Sequence, residues 1–128
     1  MENRKILIVD DEKDFVIILN KILKKQNYLV SVAYDGEDGL KKIFEIKPDL
    51  VILDLNMPKM NGYEVCKKVR EKFSFKDVAI LFLTVRTLEK DFLEGFSCGS
   101  DDYIVKPFDT RELLTRINNL LKEKFYEI

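Results

Sequence analysis

The sequence predicts an α/β fold, a doubly wound, mostly parallel five-stranded sheet built from five successive βα units. Three observations predict it. Short β-rich apolar runs alternate five times with longer segments of helical period. Three of the runs show almost no polar alternation, as expected for parallel strands covered on both faces. Strands separated by single helices imply right-handed crossovers, which place helices on both sides of the sheet.

The strands are expected at Ile6–Val9, Tyr28–Ala33, Leu50–Leu53, Val78–Leu83 and Tyr103–Val105. In the first helical segment Phe15, Ile18, Leu19, Ile22 and Leu23 recur at i, i+3, i+4, i+7 and i+8, with Lys21, Lys24 and Lys25 largely off that stripe. The second spans Gly36–Lys47, carries Leu40, Ile43 and Phe44 inward, and ends before Pro48. Gly62–Phe73 offers Val65, Cys66 and Val69, and Thr87–Ser97 offers Leu88, Phe92 and Leu93. The last segment, Asp109–Phe125, offers Leu113, Leu114, Ile117, Leu120 and Leu121, with Asp109 or Thr110 as its cap and Glu112 in its first turn.

At 128 residues the chain is expected to form one domain, 1–128, with no linker and no room for an output domain. A chain of this size buries about two-thirds of the surface its unfolded form exposes, so it needs no disulfide or zinc to fold. Its 22 basic and 23 acidic residues leave a net charge of −1, which gives no global attraction to nucleic acid or an anionic membrane. Histidine is absent, so the commonest general base and metal-binding nitrogen are missing. Cys66 and Cys98 are far apart in sequence, form no CxxC pair, and read as small core or half-buried residues. The N-terminus resembles neither a secretory signal nor a membrane span, and a cytoplasmic location is the expectation.

The polar residues that carry chemistry fall at one edge of this framework. Asp10 and Asp11 follow the first strand, Asp54 and Thr84 end the third and fourth, and Lys106 follows the fifth. These are the carboxyl ends of the strands, where open parallel sheets bind ligands. Singly, each has a plain structural reading: the Asp10-Asp11 pair complements a helix dipole, Thr84 favours a strand, and Lys106-Pro107 makes a turn. Asp54 is different, because an acid ending a buried apolar strand is costly unless paired or metal-bound. Converging carboxylates repel one another unless a cation lies between them. An all-oxygen site with open positions suits Mg²⁺, and Lys106 with the Thr84 hydroxyl supplies donors for phosphoryl oxygens. A carboxylate attacking phosphorus forms an acyl phosphate.

Four motifs in order, Ile6-Leu-Ile-Val-Asp-Asp-Glu12, Asp54-Leu-Asn-Met-Pro-Lys-Met-Asn-Gly62, Leu83-Thr84 and Asp101-Asp-Tyr-Ile-Val-Lys-Pro-Phe108, closely resemble those of bacterial two-component response-regulator receiver domains, over essentially the whole chain. The resemblance, and not the pattern of elements, implies the flavodoxin-like strand order 2-1-3-4-5. It implies Asp54 as the phosphoacceptor, a phosphoprotein state filled by a sensor histidine kinase or phosphotransfer protein, with Lys106 and Thr84 on the phosphoryl oxygens. It implies Mg²⁺ held by Asp11, Asp54 and the backbone carbonyl of Asn56, with Asp10 acting through water, and a cis Lys106–Pro107 peptide. It further implies that Thr84 and Tyr103 form a switch altering the surface of the fourth helix, fifth strand and fifth helix.

Val85 stands where the family usually has a smaller residue, and with Asn56 and Arg86 it flanks the water path. Slow loss of the phosphoryl group is therefore expected. Asp101, Asp102, Glu112 and Arg116 resemble part of the salt-bridge set through which DNA-binding relatives dimerise, although Phe92 replaces a usual basic residue; a solvated Glu112–Arg116 pair explains the last two equally well. An aspartyl phosphohydrolase is disfavoured because Asn56 stands where such enzymes want a second acid. A receiver-like scaffold is disfavoured because the acids and the lysine are all present. The chain is thus expected to be a signalling phosphoacceptor rather than an enzyme, without direct nucleic-acid or membrane binding.

Overall fold

The computed structural model describes residues 3–85 and 98–126, with side chains for all of these except Thr84 and 123–126. Three apolar runs become fully or largely buried strands, and the other two, less covered, become the sheet edges. In chain order they are β1 (Lys5–Val9), β2 (Leu29–Ala33), β3 (Leu50–Leu53), β4 (Ala79–Thr84) and β5 (Asp102–Val105). All pair in parallel, in the order β2-β1-β3-β4-β5. β3 is buried at every position, whereas edge strand β2 is covered fully only at Ala33.

Four helices are described: α1 (Lys13–Lys25), α2 (Gly36–Ile46), α3 (Gly62–Arg70) and α4 (Thr110–Tyr126). The expected helix over Thr87–Ser97 lies outside the described residues. Strand pleating divides the core in two. Ile6, Ile8, Ile52 and Leu81 face Val16, Leu19 and Leu23 of α1 and Leu113 and Ile117 of α4. Leu7, Val9, Val51, Leu53 and Phe82 face Ile43 of α2 and Val65, Cys66 and Val69 of α3.

Local chemistry sets the helix starts. The Asp35 carboxylate accepts from the Asp38 N–H at 2.8 Å, and Asn61 with Glu64 forms a reciprocal capping box. Asp109 accepts from the Arg111 N–H at 2.8 Å, so the acid ahead of α4 fills the capping role.

Two expectations are corrected. Ile18 is 59 % exposed rather than inward. Val16-Ile-Ile-Leu19 is an unbroken apolar run, so its period does not choose a face; packing selects Val16 and Leu19. α3 ends at Arg70, not Phe73. Phe73 is exposed, while Phe75, the last residue of a 3₁₀ turn, stacks edge-on to Phe44 at 5.0 Å.

Candidate functional site

β1 and β3 are neighbours, so the residues that follow or end them emerge side by side. The Asp10 N–H bonds the Ala33 carbonyl (3.1 Å) and the Asp54 N–H bonds the Val9 carbonyl (3.0 Å), which extends the sheet ladder right up to the acids. Both acids are buried, at 2 % and 6 % exposure. Among the described residues, Asp10, Glu12 and Asp54 present carboxylate oxygens all within 4.8 Å of one another.

Gly62, the first residue of α3, holds the loop after β3 against the strand end. A Cβ there would run into the Asp54 carbonyl oxygen and approach Leu55 Cα to 3.0 Å. The Gly62 N–H bonds the Leu55 carbonyl at 3.0 Å, a contact only glycine's bare backbone permits here.

Lys106 reaches in from the end of β5. Its Nζ lies 2.9 Å from Asp10 Oδ2 and 3.5 Å from Glu12 Oε1, and 4.1 Å from the centroid of the Phe15 ring. Phe15 is steadied edge-on by Phe108 at 6.0 Å. The lysine thus lies between two acids and an aromatic face, all of which favour its charged form. Its pKa is raised, because although burial opposes the charge, the bond to Asp10 and the fields of Asp10, Asp54 and Glu12 outweigh that. The Lys106–Pro107 peptide is cis.

Burial dominates the acids. It pushes Asp10 up, against the Glu12 backbone N–H (2.9 Å) and Lys106, which favour the carboxylate. Asp54 is pushed up to about 6, first by burial and then by the Asp10 charge, with Lys106 and the Asn56 backbone N–H opposing and Asp11 adding to the rise. A carboxyl so placed keeps its proton to a higher pH than a free one and, once ionised, gains from any added positive charge.

The predicted site residues separate into those brought together and those placed apart. Asp10, Asp54 and Lys106 meet. Asp11 is exposed and outside the carboxylate cluster, although its charge reaches Asp54. Asn56 is exposed just after β3, bonding Asp54 through its backbone N–H. Thr84 ends β4, paired with Val105, and Tyr103, half-buried on β5, packs on the α2–α3 side of the core. Val85 is 64 % exposed, and Arg86 lies outside the described residues. Asp102, Glu112 and Arg116 meet, at 2.8 Å and 3.2 Å from the guanidinium, while Asp101 turns the other way to Arg70 at 2.9 Å.

Two participants were not anticipated, Glu12 and Phe15. Glu12 had a signal, as the third acid in an unbroken run after β1. Phe15 had none beyond its place at the edge of the apolar stripe.

No described helix is long and apolar enough to cross a membrane. The family model for the response regulator receiver domain matches residues 6–118. The chain is similar to chemotaxis protein CheY4 of Vibrio cholerae, at 34 % identity and a TM-score of 0.88 over 93 % of this chain and 99 % of that one. It is similar to a CheY-like response regulator receiver domain protein of Methanospirillum hungatei JF-1, at 28 % identity and a TM-score of 0.93 over 99 % and 100 %. A two-component response regulator of Clostridium difficile matches at 29 % identity and a TM-score of 0.87 over 94 % and 97 %. With the family match spanning most of its length and its buried acids and lysine gathered at the carboxyl edge of a 2-1-3-4-5 sheet, the chain belongs to the response regulator receiver domains of two-component systems.

Proposed function

We propose that this chain is a single receiver domain that accepts a phosphoryl group on Asp54 from the phosphohistidine of a sensor histidine kinase or phosphotransfer protein, in the cytoplasm, and so controls a downstream partner. One observation carries the reading: a buried Asp54 carboxyl, pushed up to about 6, beside Asp10, Glu12 and the charged Lys106.

In the transfer an Asp54 oxygen attacks phosphorus in line. The P–N bond to the donor imidazole breaks, its electron pair returns to the ring nitrogen, and Asp54 becomes an acyl phosphate. Lys106 leaves its contact with Asp10 for a phosphoryl oxygen, trading one charge-assisted bond for another. Asp10, Glu12 and Asp54 form an all-oxygen donor set that fits a hard divalent cation, Mg²⁺, with Asp11 and the Asn56 carbonyl as further candidate ligands. When bound, the ion supplies positive charge against the repulsion among the carboxylates and the phosphoryl oxygens.

Thr84 moving toward the new phosphoryl group and Tyr103 rotating behind it constitute the switch, which remodels the surface that β5 and α4 share. Ile17 and Ile18, exposed on α1, give a kinase an apolar foothold. Slow dephosphorylation rests on Val85, Asn56 and Arg86 restricting water.

The test is intact mass after incubation with acetyl phosphate, or with a histidine kinase, and Mg²⁺. The reading expects gain of one phosphoryl group, abolished by chelator and by Asp54→Ala. No gain, or a gain that survives Asp54→Ala, overturns it.

A further inference from the structure

The cysteines, 32 residues apart in sequence, come together in the fold. Cys66 Sγ on α3 lies 3.2 Å from the Cys98 carbonyl oxygen, and the two thiols also share a hydrogen bond. Arg70, one turn further along the same helix face, repeats the contact with the next residues. Its Nε donates to the Gly99 carbonyl at 2.8 Å and its Nη2 reaches Asp101 Oδ2 at 2.9 Å. Asp101 in turn accepts from the Ile80 N–H on β4 at 2.8 Å. Gly99, at φ +91°, takes the left-handed turn that lets the chain meet α3 twice. The segment from Cys98 to Asp101 is therefore held to α3 at the sulfurs and again just beyond them, and the pair is preorganised.

The thiols differ in access and in chemistry. Cys66 is fully buried, and its hydrogen bond to Cys98 and its burial keep it protonated. Cys98 is half-buried. The Cys66 hydrogen bond, the Ser100 backbone N–H and Arg70 pull its pKa down, against its own burial. A partly accessible thiol whose ionisation is favoured, beside a fully buried one, has the form of a peroxidatic and resolving pair.

We infer that Cys66 and Cys98 form a reversible intramolecular disulfide on exposure to a peroxide, giving this domain a redox-sensitive modification site. The Cys98 thiolate attacks a peroxide oxygen. The O–O bond breaks, Cys98 becomes a sulfenic acid, and the hydroxide released takes up a proton to leave as water. The Cys66 thiol then attacks the Cys98 sulfur, the S–O bond breaks, and its proton leaves with the hydroxide as a second water. Two thiols are oxidised, one peroxide is reduced, and the atoms balance. Closure ties α3 to the segment leading into β5, immediately before Asp101, Asp102 and Tyr103. A disulfide of this kind in a reducing compartment is transient and regulatory rather than structural. The inference does not depend on phosphoryl transfer to Asp54.

The full-length chain, folded and reduced, is treated with hydrogen peroxide, then denatured and alkylated with iodoacetamide for intact-mass analysis. The expected product has lost two hydrogens and both alkylation sites, yields a peptide linking Cys66 to Cys98, forms equally well on dilution, and reverts with dithiothreitol. Cys66→Ala should leave a Cys98 sulfenic acid that dimedone traps, and Cys98→Ser should leave Cys66 reduced. The wild-type result stands whether or not either variant folds. A chain whose Cys98 advances to sulfinic or sulfonic acid while Cys66 stays alkylatable overturns the inference, as does one linked only to a second chain or one with both thiols unchanged.

Discussion

Asp54→Asn should make the domain more stable at neutral pH, by an amount that depends on pH in a defined way. The carboxyl moves from 3.8 to about 6 on folding because it is buried near Asp10, and Lys106 only partly offsets this. At about 1.4 kcal/mol for each tenfold in proton affinity, that distance amounts to about 3 kcal/mol. Below 3.8 the group is protonated whether the chain is folded or unfolded, and the substitution should be nearly neutral. Between 3.8 and about 6 the folded form retains a proton that the unfolded form has released, so wild-type stability falls as pH rises through that window. Above it the folded chain carries a buried charge at full cost, which asparagine, of similar shape and able to accept from the Asn56 N–H, does not. Urea denaturation of both proteins in chelator, from pH 3.5 to 7.5, reads the difference directly. An advantage for Asp54→Asn that grows from near zero to about 3 kcal/mol supports the electrostatic account. A pH-independent difference, or a loss of stability at pH 7.5, refutes it.

Lys106→Ala should cost about 3 kcal/mol, since it strips a buried Asp10 of its cation, and the loss should shrink on acidification as Asp10 takes up a proton; chemical denaturation at two pH values checks both. Gly62→Ala should destabilise by about 2 kcal/mol and slow labelling by acetyl phosphate, because the new methyl pushes α3 off the Asp54 strand; unfolding and mass-shift kinetics report the two effects. Val85→Ala should speed both labelling by small phosphodonors and loss of the label, and unchanged rates would remove crowding at that position as the cause of a long-lived state. Sedimentation with and without beryllofluoride tests dimerisation through the β5–α4 face. Asp102 and Glu112 already pair with Arg116 within the chain, so a phosphorylation-dependent dimer must exchange those contacts and should weaken with salt.

What the sequence settled by itself are features written into local spacing. Near-unbroken apolar runs such as Leu50–Leu53 mark strands buried on both faces, and the alternation with helical segments makes them parallel. That logic alone places Asp10, Asp54 and Lys106 at one edge of the sheet. The tertiary structure decided what local spacing leaves degenerate. Four successive apolar residues in α1 offered several faces, and packing against the sheet chose Val16 and Leu19 over Ile18. Of the acids following Asp10, backbone direction after β1 turned Asp11 outward and brought Glu12 to the lysine. Cys66 and Cys98, remote along the chain, touch because α3 and the segment before β5 pack together on the same face of the sheet. Periodicity reports which side of its own element a residue occupies; which distant residue it meets depends on how separate elements align, and that information exists only once the chain has closed on itself.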